Sequence, residues 1–569
     1  MTDLAPLLEP IALGSRTAPC RVMFGPHVMN MGRGRSLSDR HVAYYARRAR
    51  AGCGVVVTET ASVHESDWPY ERAPLAAECG DGWTAIAEAC SGAVVLASIG
   101  HAGGQGSSAF SRAAMWAPSG VAEVNARELP KAMEEDDVEA VVRGFGEAAA
   151  IAAEAGMDGV EVNAGQWSLV RQFVSGLTNH RGDAWGGDRL LFARRVLETV
   201  RPAVGDGVLG LRLCVDELAP WAGITPDSAV AIAEELAPLV DYLVLVRGSI
   251  YSGPATRPDG HEPPGFNLAA TAAIRATLGG AVPVFAQGSI VDPAMAAAAV
   301  ADGTADGVEM TRAQIADGEL VEKLRAGRAA EVRPCVLCNQ ECQVLDGRNP
   351  IVTCVGDPRS GHETVDPALD GDRVPSLDVR IVGGGPAGLE AARVAALRGH
   401  RVTLVEARDR LGGRLREAAL LPGRERLALL ADWLEAECVR LHVEIRLGSP
   451  GGCGGEASIL CTGSVEGRRT FAEEPGAPTV LSAAALLEST GDGALPDEGP
   501  AVVWDPIGGP IGVGVAELLA GRGIETTLVT PDQIAGTLLS LSGDLVVANQ
   551  RLRRAGVAIV RRAVLRAVG

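Results

Sequence analysis

The chain has 569 residues, 47% of them hydrophobic and 22% charged, and a formal net charge of −19. That length predicts several domains and excludes a small disulfide-stapled module, and the composition excludes a disordered chain. The surplus of negative charge disfavours nucleic acid and anionic membrane surfaces as partners.

Aromatic residues make up 4% of the chain and glycine 71 positions, so Ala, Val and Leu must build the interiors. Lys131 and Lys323 are the sole lysines among 52 basic residues, a bias of composition rather than a functional device. Residues 1–10 carry no basic run, and no window reaches eighteen unbroken apolar residues. Neither signal peptide nor membrane span is therefore expected, and the protein is placed in the cytoplasm. Eight of the twelve cysteines are scattered through apolar surroundings, as reduced thiols would be, while four crowd into residues 335–354.

From residue 20 to about 330 one theme repeats: a short β-branched run, a polar or glycine-rich loop, then a helical stretch. The runs are 21–25, 55–59, 94–99, 158–162, 208–213, 242–246, 282–287 and 306–310. Eight runs, each apolar on both faces, predict an α/β fold with an N-terminal (β/α)8 TIM barrel, a doubly wound sheet being the alternative. Function then belongs at the C-terminal strand ends, which carry Pro26–His27, Glu59–Thr60, Ser98 and His101, Asn163, Gln166 and Trp167, Arg212 and Glu217, Arg247 to Tyr251, Gln287 to Ser289, and Thr311–Arg312. Gly288, Ser289 and Arg312 follow the seventh and eighth runs, where this fold commonly holds phosphate.

Cys335, Cys338, Cys342 and Cys354 have the spacing C-x2-C-x3-C-x11-C. Four soft thiolates so close suit zinc or a 4Fe–4S cluster. Beyond an acidic linker, residues 379–407 read as strand, glycine turn, helix, strand. Gly383, Gly385 and Gly388 form the turn and Glu406 closes the second strand. This pattern predicts a Rossmann-type site for a dinucleotide or another ADP-containing ligand, with the pyrophosphate at the helix N-terminus and Glu406 on the ribose. A second such unit begins near residue 500, but Ile507 replaces the first glycine and Thr530 the acid, so NAD(P)H or ADP binding and a purely structural role stay equally open there. The expected organisation is a barrel at 1–330, a cluster segment at 331–365, a linker at 366–378, a nucleotide unit at 379–465 and a second at 466–569.

The stretches 7–15, 44–59, 172–188, 211–217, 287–312 and 333–342, in this order, resemble the iron–sulfur flavoprotein branch of the old yellow enzyme family, the relatives of 2,4-dienoyl-CoA reductase and trimethylamine dehydrogenase. Residues 27–35 and 166–169 look most like a branch associated with the mycofactocin redox system. The resemblance implies non-covalent FMN on the barrel, a 4Fe–4S cluster on the four clustered cysteines, and FAD or ADP in the Rossmann-like region. Gly25 and Pro26 match the loop against the flavin, Ser98 the contact to its pyrimidine edge, Arg212 the arginine at its N1/O2 edge, and Gly288 and Arg312 its phosphate contacts.

Several positions depart from the family. Val28 replaces the cysteine that bonds flavin in trimethylamine dehydrogenase. Asn163 and Gln166 replace the pair that grips a substrate oxygen, and Ser168 replaces the proton-donating tyrosine of ene-reductases. His27, His101, Tyr251 and His261 are the remaining titratable candidates, with His27 as base and Trp167 as a pocket wall. The segment that closes over FAD in relatives is absent by residue 569, so FAD is expected to be weakly held.

These readings imply an oxidoreductase that passes hydride or electrons between a small amine, alcohol or enone and FMN, with an external electron carrier as a further partner and a homo-oligomer as the assembly. The alternatives are an NAD(P)H-dependent ene- or dienoyl-CoA-type reductase and a non-catalytic electron-transfer component.

Overall fold

A computed structural model describes residues 3–122, 124, 127–344, 350–366, 369, 375–489 and 499–569. Much of the expected linker at 366–378 lies outside the described residues. Two compact units divide the chain. The first comprises Met1–Pro258, Pro263–Val332 and Glu341–Asp366, and the second Asp259–Glu262, Arg333–Gln340 and Pro367–Gly569.

In the first unit, strands β1 (Val22–Phe24), β2 (Val55–Val57), β3 (Val94–Gly100), β4 (Gly159–Ala164), β5 (Val208–Asp216), β6 (Tyr242–Arg247), β7 (Val284–Ala286) and β8 (Gly307–Glu309) form one parallel sheet. It closes into a barrel because β1 pairs with both β2 and β8, and β2 with β3. Each of the eight apolar runs supplies one strand, and closure rules out the doubly wound alternative. The helices α1 (Asp39–Arg50), α2 (Gly80–Ala89), α3 (Glu135–Glu154), α4 (Leu191–Val204), α5 (Pro226–Leu236), α6 (Leu268–Leu278), α7 (Pro293–Ala301) and α8 (Leu320–Arg325) alternate with the strands. Their starts follow local chemistry. Three acids in the first turn of α3 meet its positive dipole end, and Thr225 caps α5 just before Pro226.

The barrel interior is packed rather than open. The rings of Tyr242 and Phe285 meet edge to face at 5.7 Å, and glycines 210 and 307 leave them room. Two opposite strands also open on the same text, Asp-Gly-Val-Glu, at 158–161 and 306–309. Each aspartate accepts a backbone N–H from the preceding strand, Asp158 from Val95 and Asp306 from Val284, both at 2.9 Å. Each glutamate, three residues on, reaches the upper interior.

In the second unit, β9 (Asp378–Val382), α9 (Pro386–Leu397), β10 (Arg401–Val405), α10 (Leu427–Arg440), β11 (Glu444–Arg446) and β12 (Ala457–Leu460) build a parallel sheet in the order β11-β10-β9-β12. A separate sheet, β13-β14-β15, joins β13 (Ala501–Trp504), β14 (Thr526–Val529) and β15 (Ala558–Val560), with α11 (Pro510–Gly521) and α12 (Leu545–Arg554) in its connections. Among the described residues, no helix is long and apolar enough to cross a membrane.

Candidate active site

Arg212 leaves β5 into the barrel interior, where two carboxylates take it. Its Nε donates to Glu161 at 2.8 Å and its Nη2 to Glu309 at 2.7 Å. The Tyr242 hydroxyl donates to the other oxygen of Glu161 at 2.9 Å, and the Thr311 hydroxyl to that of Glu309 at 3.1 Å. Burial raises the Glu161 carboxyl above the usual carboxylate range, Arg212 pulls it down, and the Glu309 charge pushes it up again. Nη1 has no protein partner among the described residues, so the guanidinium keeps one edge for a ligand. The Gln287 Oε1 at the end of β7 is likewise buried without a partner among the described residues.

The loop after β1 rests on this group. A Cβ at Gly25 would lie 2.3 Å from the Glu309 carboxyl carbon, so the backbone passes directly over it. The Gly25 N–H donates to Thr311 at 2.9 Å. Farther along, the Glu59 carboxylate accepts from the Met29 amide at 2.5 Å, from Tyr70 at 2.8 Å and from His41 at 2.9 Å. From the opposite side, the Met29 carbonyl accepts from the Val352 amide at 3.0 Å. Pro26 is half-buried within the loop held in this way.

At the ends of β7 and β8, Arg312 donates through Nη2 to the Ser289 hydroxyl and through Nη1 to the Pro258 carbonyl at 2.8 Å. Gly288 has a φ of +146°, open only to glycine, and Ser289 follows in the left-handed region. The guanidinium, the hydroxyl and a glycine turn therefore converge as a phosphate cradle needs. Ser98 is fully buried and shares a hydrogen bond with Thr60 at 2.8 Å.

Asn163 and Gln166 are both half-buried at the end of β4. Asn163 Oδ1 accepts the Gly165 N–H at 2.9 Å, which leaves its amide nitrogen to donate. Gln166 Nε2 donates to the Arg247 carbonyl at 3.3 Å, which leaves its oxygen to accept. Trp167 is half-buried beside them, and Tyr251 is half-buried in a short helical turn, Ile250–Ser252, after β6.

Four titratable candidates are anchors in this structure. The Gly25 carbonyl can only accept, so His27 Nδ1 carries the proton in their 2.9 Å bond and Nε2 accepts from Tyr44 at 3.1 Å. No lone pair remains for a substrate proton, and burial lowers the His27 pKa to about 4. The expectation of a catalytic base there is corrected on that ground. His101 accepts the Gly103 N–H and pairs with Ser66, and burial lowers its pKa too. Glu217 is buried against Arg171 and Ser175. His261 belongs to the second unit. Burial works against its charge, but Asp259 and Glu517 outweigh that and push its pKa up to about 9. Ser168 is fully buried and caps the helix Leu169–Val174. Its hydroxyl donates to the Asn163 carbonyl at 2.5 Å and accepts from the Arg171 N–H.

In the second unit, the turn after β9 is shaped for a pyrophosphate. A Cβ at Gly388 would sit 1.8 Å from the Gly383 carbonyl, so helix and turn need that glycine to touch, whereas Gly385, the N-cap of α9, faces open space. Glu406 accepts from the Gly384 and Arg408 amides at 2.6 and 2.9 Å. The turn after β13 differs. The Asp505 carboxylate accepts its Ile507 and Gly508 amides at 3.1 and 2.9 Å, so the turn already holds an anion of its own.

The four clustered cysteines form no disulfide and are half-buried, with Cys335 and Cys338 in the second unit and Cys342 and Cys354 in the first. The Gly356 amide donates to the Cys354 sulfur at 3.3 Å. Among the described residues, no three His, Cys, Asp or Glu side chains gather as one ion would require. The donor chemistry fits a cluster.

Sequence reasoning missed Glu161, Glu309 and Tyr242 as site residues, although the repeated Asp-Gly-Val-Glu text was a visible sign of the first two.

Residues 381–439 match the NAD(P)-binding Rossmann-like domain. The chain is 32% identical to N,N-dimethylglycine/sarcosine dehydrogenase of Chromohalobacter salexigens, over 92% of this chain and 79% of that one. It is 31% identical to NADH oxidase of Thermoanaerobacter brockii, over 93% of this chain and 83% of that one. Among solved structures, histamine dehydrogenase from Rhizobium sp. 4-9 superposes with a TM-score of 0.90 at 26% identity, covering 100% of this chain and 85% of that one. Residues 6–331 match the NADH:flavin oxidoreductase / NADH oxidase family, and the chain belongs to it, as an FMN-dependent oxidoreductase.

Proposed function

We propose that this enzyme oxidises a small amine at the carbon next to nitrogen, with FMN held non-covalently at the C-terminal end of the barrel. Arg212 Nη1 would meet the flavin ring, Gly25, Pro26 and Ser98 would border it, and Gly288, Ser289 and Arg312 would hold its phosphate. FMN, when bound, supplies the hydride acceptor. Asn163 offers a donor and Gln166 an acceptor side by side, so a substrate with an amine and an oxygen can be oriented between them. Trp167 walls the pocket, and Tyr251 is the remaining side chain in reach that could hold a proton.

The observation that carries this direction is Ser168. Its hydroxyl is buried in a helix cap and committed to the Asn163 carbonyl, so it cannot be the proton donor that reduction of an activated alkene needs at that position. Amine oxidation needs none there, and the dimethylglycine/sarcosine dehydrogenase relative is named for such substrates. A second reading, NAD(P)H-driven reduction of an enone, is favoured by the Rossmann-like match and the open turn at Gly385. Anaerobic stopped-flow separates the two. Flavin bleaching by N-methyl amines alone supports oxidation. Bleaching by NADH or NADPH followed by fast reoxidation with an enone overturns it.

We further place a 4Fe–4S cluster on Cys335, Cys338, Cys342 and Cys354, supported by their spacing and by the soft sulfur donors they offer, with an external carrier as electron acceptor. An ADP-containing ligand is assigned to the Gly383–Gly388 turn, and a mycofactocin-linked role to the enzyme on the residues 27–35 and 166–169. A cytoplasmic setting is supported by cysteines that form no disulfide.

A further inference from the structure

The clamp on Arg212 holds more carboxylate than guanidinium. Glu161 and Glu309 each take one edge of a single positive charge, and both side chains are 5% exposed or less. Three other groups complete their surroundings: the Tyr242 hydroxyl from β6, the Thr311 hydroxyl beyond β8, and the Gly25 backbone stacked on Glu309. Among the described residues, no second basic side chain bonds either carboxylate. Fully ionised, the group carries one net negative charge in an interior that does not tolerate unbalanced charge. A ligand that turns negative at Arg212 Nη1 adds another.

We propose that Glu161 and Glu309 act as a proton-accepting pair that binds one proton when negative charge forms on the ligand at Arg212, and releases it when that charge leaves. This rests on the reading that Arg212 meets the N1/O2 edge of FMN. Reduction of bound FMN by a hydride would deliver two electrons and one proton and would leave one negative charge beside Arg212. The pair takes a second proton from water, so the site as a whole gains no charge, and reoxidation returns it. Glu161 is the member better placed to carry the proton, because the Tyr242 hydroxyl at its Oε2 accepts no other hydrogen bond among the described residues, whereas the Thr311 hydroxyl at Glu309 already accepts the Gly25 N–H. Burial also raises its pKa, in the same sense. Glu309 is then a positioning residue. Held between Arg212 and Thr311, it would act on the flavin edge through the guanidinium, which it makes unable to serve as a full counter-charge.

The test is dithionite titration of the FMN-loaded full chain at several pH values above neutrality, with infrared difference spectra of the reduced and oxidised forms. The wild type should take up about two protons per two electrons, read from the pH slope of a two-electron couple. A protonated carboxylic acid band should appear on reduction and shift in deuterium oxide. Glu309→Gln should take up about one proton over the same range and lose the band. The infrared measurement needs no variant, so a variant that fails to fold leaves the proposal testable. A wild type with no such band, or a Glu309→Gln variant with an unchanged proton count, overturns the pair. If Arg212→Gln keeps both FMN content and potential, the placement of the flavin fails instead, independently of the carboxylates.

Discussion

Tyr44 donates its hydroxyl to Nε2 of His27 across 3.1 Å, and it must be the donor, because the Gly25 carbonyl already takes the proton on Nδ1. A histidine enclosed in this way stays neutral. Its folded pKa of about 4 lies below the unfolded value near 6.5.

Between those two values the unfolded chain binds a proton that the folded chain refuses. Stability is therefore full above pH 6.5 and falls as the pH drops toward 4, by about 3 kcal/mol at most for this residue. His101, shifted in the same direction, adds to the loss. Urea unfolding of the barrel at neutral and mildly acid pH should show the drop, and His27→Gln should flatten it. An equal pH dependence in wild type and variant contradicts the neutral anchor.

Ser168→Ala removes a helix cap and should cost about 1 kcal/mol of stability. The ratio of amine oxidation to enone reduction should not change, because the hydroxyl is committed to the Asn163 carbonyl. A selective fall in enone reduction would identify the serine as a proton donor after all.

Two glycines of one turn should separate folding from binding. Gly388→Ala forces a Cβ against the Gly383 carbonyl and should lower the melting temperature of the second unit, consistent with an overpacking cost of about 1–3 kcal/mol. Gly385→Ala meets nothing within 4 Å and should fold normally. It should nonetheless weaken ADP binding, measured by calorimetry, at least tenfold, since a methyl group then stands where the pyrophosphate approaches. Undiminished binding in Gly385→Ala would move the ligand elsewhere.

Acid precipitation should release all of the flavin, as Val28 offers no thiol for a covalent link. Flavin that stays with the polypeptide refutes this.

Iron and acid-labile sulfide should each approach the count of a 4Fe–4S cluster per chain, and Cys338→Ser should bleach its broad visible absorption. Zinc without iron would show that the four cysteines hold a single ion instead.

The strands were legible because runs such as Val55–Val57, apolar at every position, have no stable place except a sheet covered on both faces. The turn at Gly383–Gly388 was legible because backbone contact there tolerates no side chain. Glu161 and Glu309 were not, since a pattern of apolar residues reports that a strand is buried without saying that one charged side chain on it points inward to meet another. Only the position of Arg212 between opposite strands gives them a role. Ser168 and His27 were legible as positions but not as chemistry, because each is decided by backbone carbonyls, at Asn163 and Gly25, that the sequence does not display.

One residue of the barrel is held through both of its backbone groups. Met29 gives its amide to Glu59, its carbonyl accepts from Val352, and Val352 lies two residues before Cys354. Such a residue has little slack. A change at the Cys354 sulfur that refits the backbone at Val352 would therefore be felt at Met29, and, with FMN placed as proposed, the visible spectrum of the flavin would become a gauge of what that sulfur is bonded to.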